Sequence, residues 1–237
     1  MIQSSLKRGR TPPKPERLSK MGNKMVVDTE TANTYKIDGK LFSDDGQVYD
    51  ACFRVINDEG ETLEVVPVIN RDVFISMPET MKDAYFADKI PQYWRDIWDK
   101  KYTVTDSWGM YKIFRDLCDK WHVEAIIAHN ASFDIRVLNA TMRYQTKSKK
   151  RYFIPYNMPV IDTMKLARNT ICKTDEYITF CKENDLMTKH ATPRPRATAE
   201  AIWRFLTQNT DFEEEHTGVG DTEIEARIYA TCLNWDA

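Results

Sequence analysis

Hydrophobic positions along this chain follow two periods, and the switches between them outline its elements. Lys24 to Val27 is a short apolar run closed by Asp28, the pattern of a buried strand that delivers acids at its C-terminal end. Val48 to Ile56 alternates, with Tyr49, Ala51, Phe53 and Val55 on one face. Asp58-Glu59-Gly60 supplies a turn and Thr62 to Ile69 a return strand, so a hairpin is predicted. Met110, Ile113, Phe114, Leu117, Cys118 and Trp121 recur at spacings of three and four, which marks one face of a helix. Further on come a strand over Glu124 to Ala128, a helix over Phe133 to Tyr144, a basic loop over Lys147 to Arg151 and a short strand over Val160 to Asp162. A helix over Thr198 to Leu206 sets Ala199, Ile202, Trp203 and Leu206 on one side, and a last helix covers about Asp221 to Cys232. Strands first, then alternating α and β, predict an α/β domain with a mixed sheet flanked by helices.

Residues 70–109 interrupt this order and read as an insertion, with helices expected near 78–87 and 91–100. The region and its border are unusually aromatic: Tyr85, Phe86, Tyr93, Trp94, Trp98, Tyr102, Trp108 and Tyr111 interleave with Lys82, Lys89, Arg95, Lys100, Lys101 and Lys112. Their helical spacing favours a small subcore packed on the domain. The competing reading is a surface that stacks unpaired bases and holds phosphate. Lys189, Arg194 and Arg196, in a loop with Pro193 and Pro195, are a second candidate for guiding a polyanion.

Composition narrows the class. A hydrophobic content of 42% supplies a buried core and excludes general disorder. No apolar run approaches the ~20 residues of a membrane span, and the first twenty residues lack the apolar core of a secretory signal. Cys52, Cys118, Cys172, Cys181 and Cys232 form no Cys-x-x-Cys pair. That argues against a disulfide framework or zinc knuckle and for a reducing, intracellular location, expected to be cytoplasmic (nucleoid, or host cytoplasm for a viral protein). The net charge of −2 hides an asymmetry: residues 1–20 carry six Lys/Arg against Glu16 alone. A flexible basic tail over 1–21 and one domain over 22–237 are expected, and the domain itself is acidic. An acidic body suits a nucleic-acid protein only if bound divalent cations reverse the field at the site.

Three acid-bearing motifs supply that possibility. In Val26-Val27-Asp28-Thr29-Glu30-Thr31 the two acids stand two apart, on one face of a strand. A polar pair closing an apolar strand is costly to bury without compensation, and a cation is the natural one. Ala128-His129-Asn130-Ala131-Ser132-Phe133-Asp134 places Asp134 at a strand-to-helix junction, where Asn130 can orient backbone and His129 reads as structural. In His216-Thr217-Gly218-Val219-Gly220-Asp221 a continuous helix would turn His216 and Asp221 about 140° apart. Gly218 and Gly220 favour a loop instead, with His216 over the site and Asp221 in the first helical turn, where the dipole favours a carboxylate. An imidazole titrating near ~6.5 suits a base that takes a proton from water.

Together Asp28, Glu30, Asp134, His216 and Asp221 resemble the signature of the DEDDh family of 3′–5′ exonucleases, of the replicative proofreading-subunit type. The segments Ala197 to Glu200, Phe212 to Glu214 and Val160 to Thr163 are also similar to stretches of that family. The resemblance spans roughly residues 22–235 and is weakest over 70–122. It implies an RNase H-like α/β fold with a mixed five-stranded sheet, two Mg²⁺ (Mn²⁺ substituting), and release of 5′-mononucleotides from 3′ ends. Carried over, Asp28 bridges both metals, Glu30, Asp134 and Asp221 complete the coordination, and His216 deprotonates the attacking water. Thr29, Thr31 and Asn130 are expected to contact substrate. Asp162 reads as a strand-end acid bonded to nearby backbone rather than as a ligand. Single-stranded DNA 3′ ends are the expected substrate, with an exoribonuclease of the same fold as the alternative and a catalytically silent nucleic-acid-binding module as the reading from another class. A polymerase or other replication or repair protein is a possible separate partner; no membrane is involved.

Overall fold

The computed structural model describes residues 22–33, 36–37, 40–41, 46–147 and 152–235. The basic tail at 1–21, and residues 148–151 of the expected basic loop, lie outside them. β1 (Lys24–Asn33), β4 (Gly46–Ile56) and β5 (Thr62–Asn70) form the antiparallel part of the main sheet, and β2 (Lys36–Ile37) pairs with β3 (Lys40–Leu41) in a separate ribbon. β6 (Thr103–Thr105), β7 (Ala125–Ala128) and β8 (Val160–Asp162) join in parallel, giving the order β6-β5-β4-β1-β7-β8. The sheet is mixed, as expected, with six strands rather than five. The extra one, β6, is only three residues long and lies within residues 70–109, too short to show a period.

Helices cover both faces. α4 (Ser107–Lys120) and α5 (Ser132–Thr146) lie on one; α9 (Gly218–Leu233) lies on the other. β4 is therefore buried along its whole length instead of alternating, as a central strand between two helical layers must be. Ala51, Phe53 and Val55 pack with Met110, Phe114, Val137 and Leu138 of α4 and α5. Val26, Ile56 and Ile127 pack against Ala226 and Tyr229 of α9. Phe53 is fully buried, which stabilises the fold by roughly 1.5–3 kcal/mol relative to exposure.

Two helices went unread in the sequence: α6 (Thr163–Asn169) and α7 (Asp175–Glu183). They are short, and their apolar residues (Ala167, Tyr177, Cys181) complete a second core with Ile202 of α8 (Ala199–Thr207) and Ile224 and Ile228 of α9. Residues 70–109 carry α1 (Arg71–Phe74), α2 (Pro78–Lys82), a 3₁₀ turn at Ala87–Lys89 and α3 (Ile90–Trp98). Their subcore is present: Tyr93 is buried edge-on to Tyr49 (ring centroids 5.5 Å apart) and beside Phe74. Tyr85 and Trp98 stay exposed, at 85% and 87%. No helix among the described residues is long and apolar enough to cross a membrane, and all five cysteines are free.

Candidate active site

The middle of the sheet sets the geometry. Along β1 the side chains alternate, so Met25 and Val27 face α4 and α5 while Val26 faces α9; Asp28 and Glu30 continue the α9 side. Asp28 stands opposite Cys52 and Glu30 opposite Asp50, and the pairing register shifts between Glu30 and Thr31. Such a bulge re-aims side chains at a strand end. Asp134 occupies the first turn of α5, and Asp221 the first turn of α9. Two helix N-termini thus bring partial positive charge to the acids.

The third motif differs from its sequence reading in one respect: Gly218 and Gly220 are not in a loop but open α9, capped by Thr217, whose hydroxyl accepts from the Gly220 amide (3.4 Å). The reason is a close approach. A Cβ on Gly218 would sit 2.9 Å from Cys52 Cβ and 3.1 Å from Cys52 N, so only glycine lets this turn rest on β4. β4 holds it there. Asp50 Oδ2 accepts from the Gly218 amide (3.2 Å), and the buried Arg54 donates to Val219 O (3.2 Å) and Thr222 Oγ1 (3.3 Å).

Glu30, His216 and Asp221 each offer a ligand atom, and those atoms lie within 4.8 Å of one another. His216 and Asp221 converge because His216 sits before the cap, with a left-handed backbone (φ 47°) that turns it back over β1. Asp28 and Glu30 keep part of their surface open, whereas Asp134 and Asp221 are buried. Burial, then the charges of Glu225, Asp221, Asp134 and Glu30, push Asp28 well above the usual carboxylate range. Burial and the nearby Asp221 raise Glu30 to about 9; burial and Glu214 raise Asp221 to about 8. Asp134 is raised by burial to about 7, opposed by the Thr29 hydroxyl that donates to its Oδ1 at 2.8 Å.

This crowding tests whether divalent cations fit. Asp28 Oδ2 and Asp221 Oδ1 are enclosed without any hydrogen-bond donor. Orphaned acceptors among mutually repelling acids are costly unless a cation joins them. The acids offer carboxylate oxygen, which suits Mg²⁺ or Mn²⁺, and the imidazole stands beside them. The residues fit the group.

Several contributors were not singled out in the sequence. Phe86 stacks on the His216 ring (centroids 4.2 Å apart, planes 19° apart). Glu214 Oε2 lies 3.8 Å from His216 Nδ1, and Lys89 donates to the Glu215 carbonyl while sitting 5.2 Å over the Phe86 ring. Burial and Lys89 both lower the His216 pKa. Asp50, buried, accepts from the Tyr93 hydroxyl (2.8 Å) as well as from Gly218. Lys89 was visible only as one of many interleaved cations, and Asp50 only as a polar interruption in a strand. Of the remaining candidates, Thr29 is buried against Asp134, Thr31 is half-buried just past the bulge, and Asn130 is exposed in a left-handed turn (φ 61°). His129 bridges Thr163 Oγ1 (2.9 Å) and Ala197 O (2.7 Å), a structural role, and Asp162 caps α6 by accepting from the Lys165 amide.

This RNase H-like arrangement is the fold of 3′-exonucleases. No known family model and no curated protein matches the chain, so the likeness is carried by solved structures. The nuclease domain of 3′hExo, a DEDDh family member, bound to rAMP, superposes with a TM-score of 0.57 at 13% identity, over 91% of this chain and 94% of that one. A 3′-exonuclease solved for 3′-end-specific recognition of a histone mRNA stem-loop gives 0.56 at 14%, over 90% and 64%. E. coli Exonuclease I with a dT13 oligonucleotide gives 0.51 at 12%, over 90% of this chain but 41% of its own length.

Proposed function

We propose that this chain is a DEDDh-type, metal-dependent 3′–5′ exonuclease that hydrolyses the terminal phosphodiester of single-stranded DNA and releases 5′-mononucleotides. One observation carries the reading: Glu30, His216 and Asp221, up to 191 positions apart, present ligand atoms within 4.8 Å of one another, beside Asp28 and Asp134 with orphaned or buried oxygens.

Asp28, Glu30, Asp134 and Asp221 would hold two Mg²⁺, whose chemistry when bound is to neutralise charge on the phosphate in its transition state and to acidify water. His216 then acts as the base. Glu214 faces Nδ1, which leaves Nε2 for the attacking water. Burial and then Lys89 push the imidazole toward its neutral form, the form that can accept a proton. Phe86 fixes the plane of the ring, and the Thr29 hydroxyl fixes the carboxylate of Asp134.

A second reading, an exoribonuclease, is favoured by one observation: the 3′hExo nuclease domain, of which this chain covers 94%, was solved with rAMP. Neither substrate reading needs the finer resemblance to proofreading subunits, which rests on the motifs alone. The experiment is degradation of matched DNA and RNA oligonucleotides labelled at the 5′ end, with and without EDTA. A ladder shortening from the 3′ end, abolished by EDTA, is expected. Preferential loss of RNA would select the second reading, and EDTA-resistant hydrolysis would refute both.

A further inference from the structure

α9 carries another acid. Glu225 lies one turn beyond Asp221, on the same face, and is 3% exposed. The His129 backbone amide donates to its carboxylate, yet Oε2 has no hydrogen-bond partner. The charged groups that act most strongly on it are Asp134, Asp221 and Glu214, all acidic. Conversely, Glu225 is the charge that presses hardest on Asp28, ahead of Asp221, Asp134 and Glu30. A buried carboxylate among acids, with no basic neighbour of comparable influence, needs a cation as much as the four motif acids do.

We propose that Glu225 is a further acid of the divalent-cation site, its Oε2 serving the hydrated ion held by Asp28 and Asp134. The inference rests on the metal-dependent reading above and extends it to a fifth carboxylate. Among the described residues the trio with ligand atoms within 4.8 Å is Glu30, His216 and Asp221; Glu225 is not part of it and acts instead on Asp28 and Asp134, which suits a contact through water. A Mg²⁺ ion keeps several waters of its own, and an acid accepting from such waters tunes affinity without direct chelation.

The test is titration calorimetry of the metal-free chain with Mn²⁺ alone, comparing wild type, Glu225→Gln and Asp28→Asn, with thermal melting of each metal-free variant as a check of folding. Wild type is expected to take up two Mn²⁺. Glu225→Gln should weaken one of them by roughly 10–100-fold and leave the other unchanged. Wild-type Mn²⁺ binding in folded Glu225→Gln, with binding lost in Asp28→Asn, overturns this inference alone. Unaltered binding in Asp28→Asn overturns the cation reading beneath it. If Glu225→Gln does not fold, Glu225→Asp, which keeps the charge but retracts it, must show the weakening instead; wild-type affinity there also overturns the inference.

Discussion

Two alanine substitutions in one helical turn should have opposite effects. Gly218 and Gly220 both open α9 with ordinary negative φ, so neither needs glycine for its backbone angles. Alanine would favour the helix by up to ~1 kcal/mol at either position. At Gly220 little opposes that gain: a Cβ would meet Thr217 Oγ1 at 3.4 Å and Glu215 at 3.8 Å. At Gly218 it would meet Cys52 Cβ at 2.9 Å and Cys52 N at 3.1 Å. Cys52 is fully buried in the central strand and cannot swing aside. Overpacking of this kind costs about 1–3 kcal/mol, and lifting the turn also stretches the Gly218 bond to Asp50. Gly218→Ala is therefore expected to lose about 1–2 kcal/mol net. At ~2–4 °C per kcal/mol for a chain of this size, its Tm should fall by about 2–8 °C. Gly220→Ala should match wild type or gain up to ~1 kcal/mol. Differential scanning calorimetry and urea unfolding of both variants read the difference, and Mn²⁺ titration should show weaker binding only in Gly218→Ala, because Asp221 rides on the displaced turn. A Gly218→Ala protein as stable as Gly220→Ala would refute the close packing of α9 on β4.

Other consequences are equally open to measurement. His216→Ala should lower kcat by about 10²–10⁴-fold, the usual worth of a general base, with far-ultraviolet circular dichroism unchanged; near-wild-type kcat would remove His216 from that role. Asp28→Ala should abolish hydrolysis yet melt no lower than wild type when metal-free, since a buried acid with an orphaned oxygen is gone; retained hydrolysis contradicts the assignment. Asp50, Asp134, Asp221 and Glu30 have folded-state pKa values raised to about 6, 7, 8 and 9, above the ~4 of an unfolded chain. The folded protein therefore binds the extra protons, and metal-free stability should fall as pH rises from about 4 to about 9. Urea midpoints in EDTA at three pH values check the slope, and a rise with pH would disprove the buried-acid cluster. Phe86→Ala should release the His216 ring and cost roughly 10–100-fold in kcat, while Phe86→Trp keeps most of it; equal losses in the two would argue against stacking.

Much of this was legible because the chemistry sits where periodic elements end. The run into Asp28 was readable as a strand, and the spacing of Asp28 and Glu30 then fixed their common face. Asp134 was readable from a strand-to-helix junction, and Asp221 from the first turn of the last helix. What escaped depends on contacts between distant segments. Gly218 and Gly220 suggested a loop locally, but the need is for a helix with no side chain where it meets Cys52. α6 and α7 have too few turns for their period to stand out, and their apolar faces make sense only against α8 and α9. Phe86 and Lys89 were lost in an aromatic, basic background, since nothing in the local sequence says which ring will lie on His216. Residues 70–109 carry the subcore weighed for them, around Tyr93, and also place Phe86 on the His216 ring, a contact outside both readings.

Asp50 joins segments that ribosomal synthesis separates widely. Its carboxylate receives the Tyr93 hydroxyl from 43 positions away and the Gly218 amide from 168 positions away. A growing polypeptide that has emerged only as far as α8 holds Asp28, Glu30 and Asp134 but neither the imidazole nor the final acid. Under the proposed function, hydrolysis therefore begins only after α9 has closed on β4, a contact of long sequence separation that forms late.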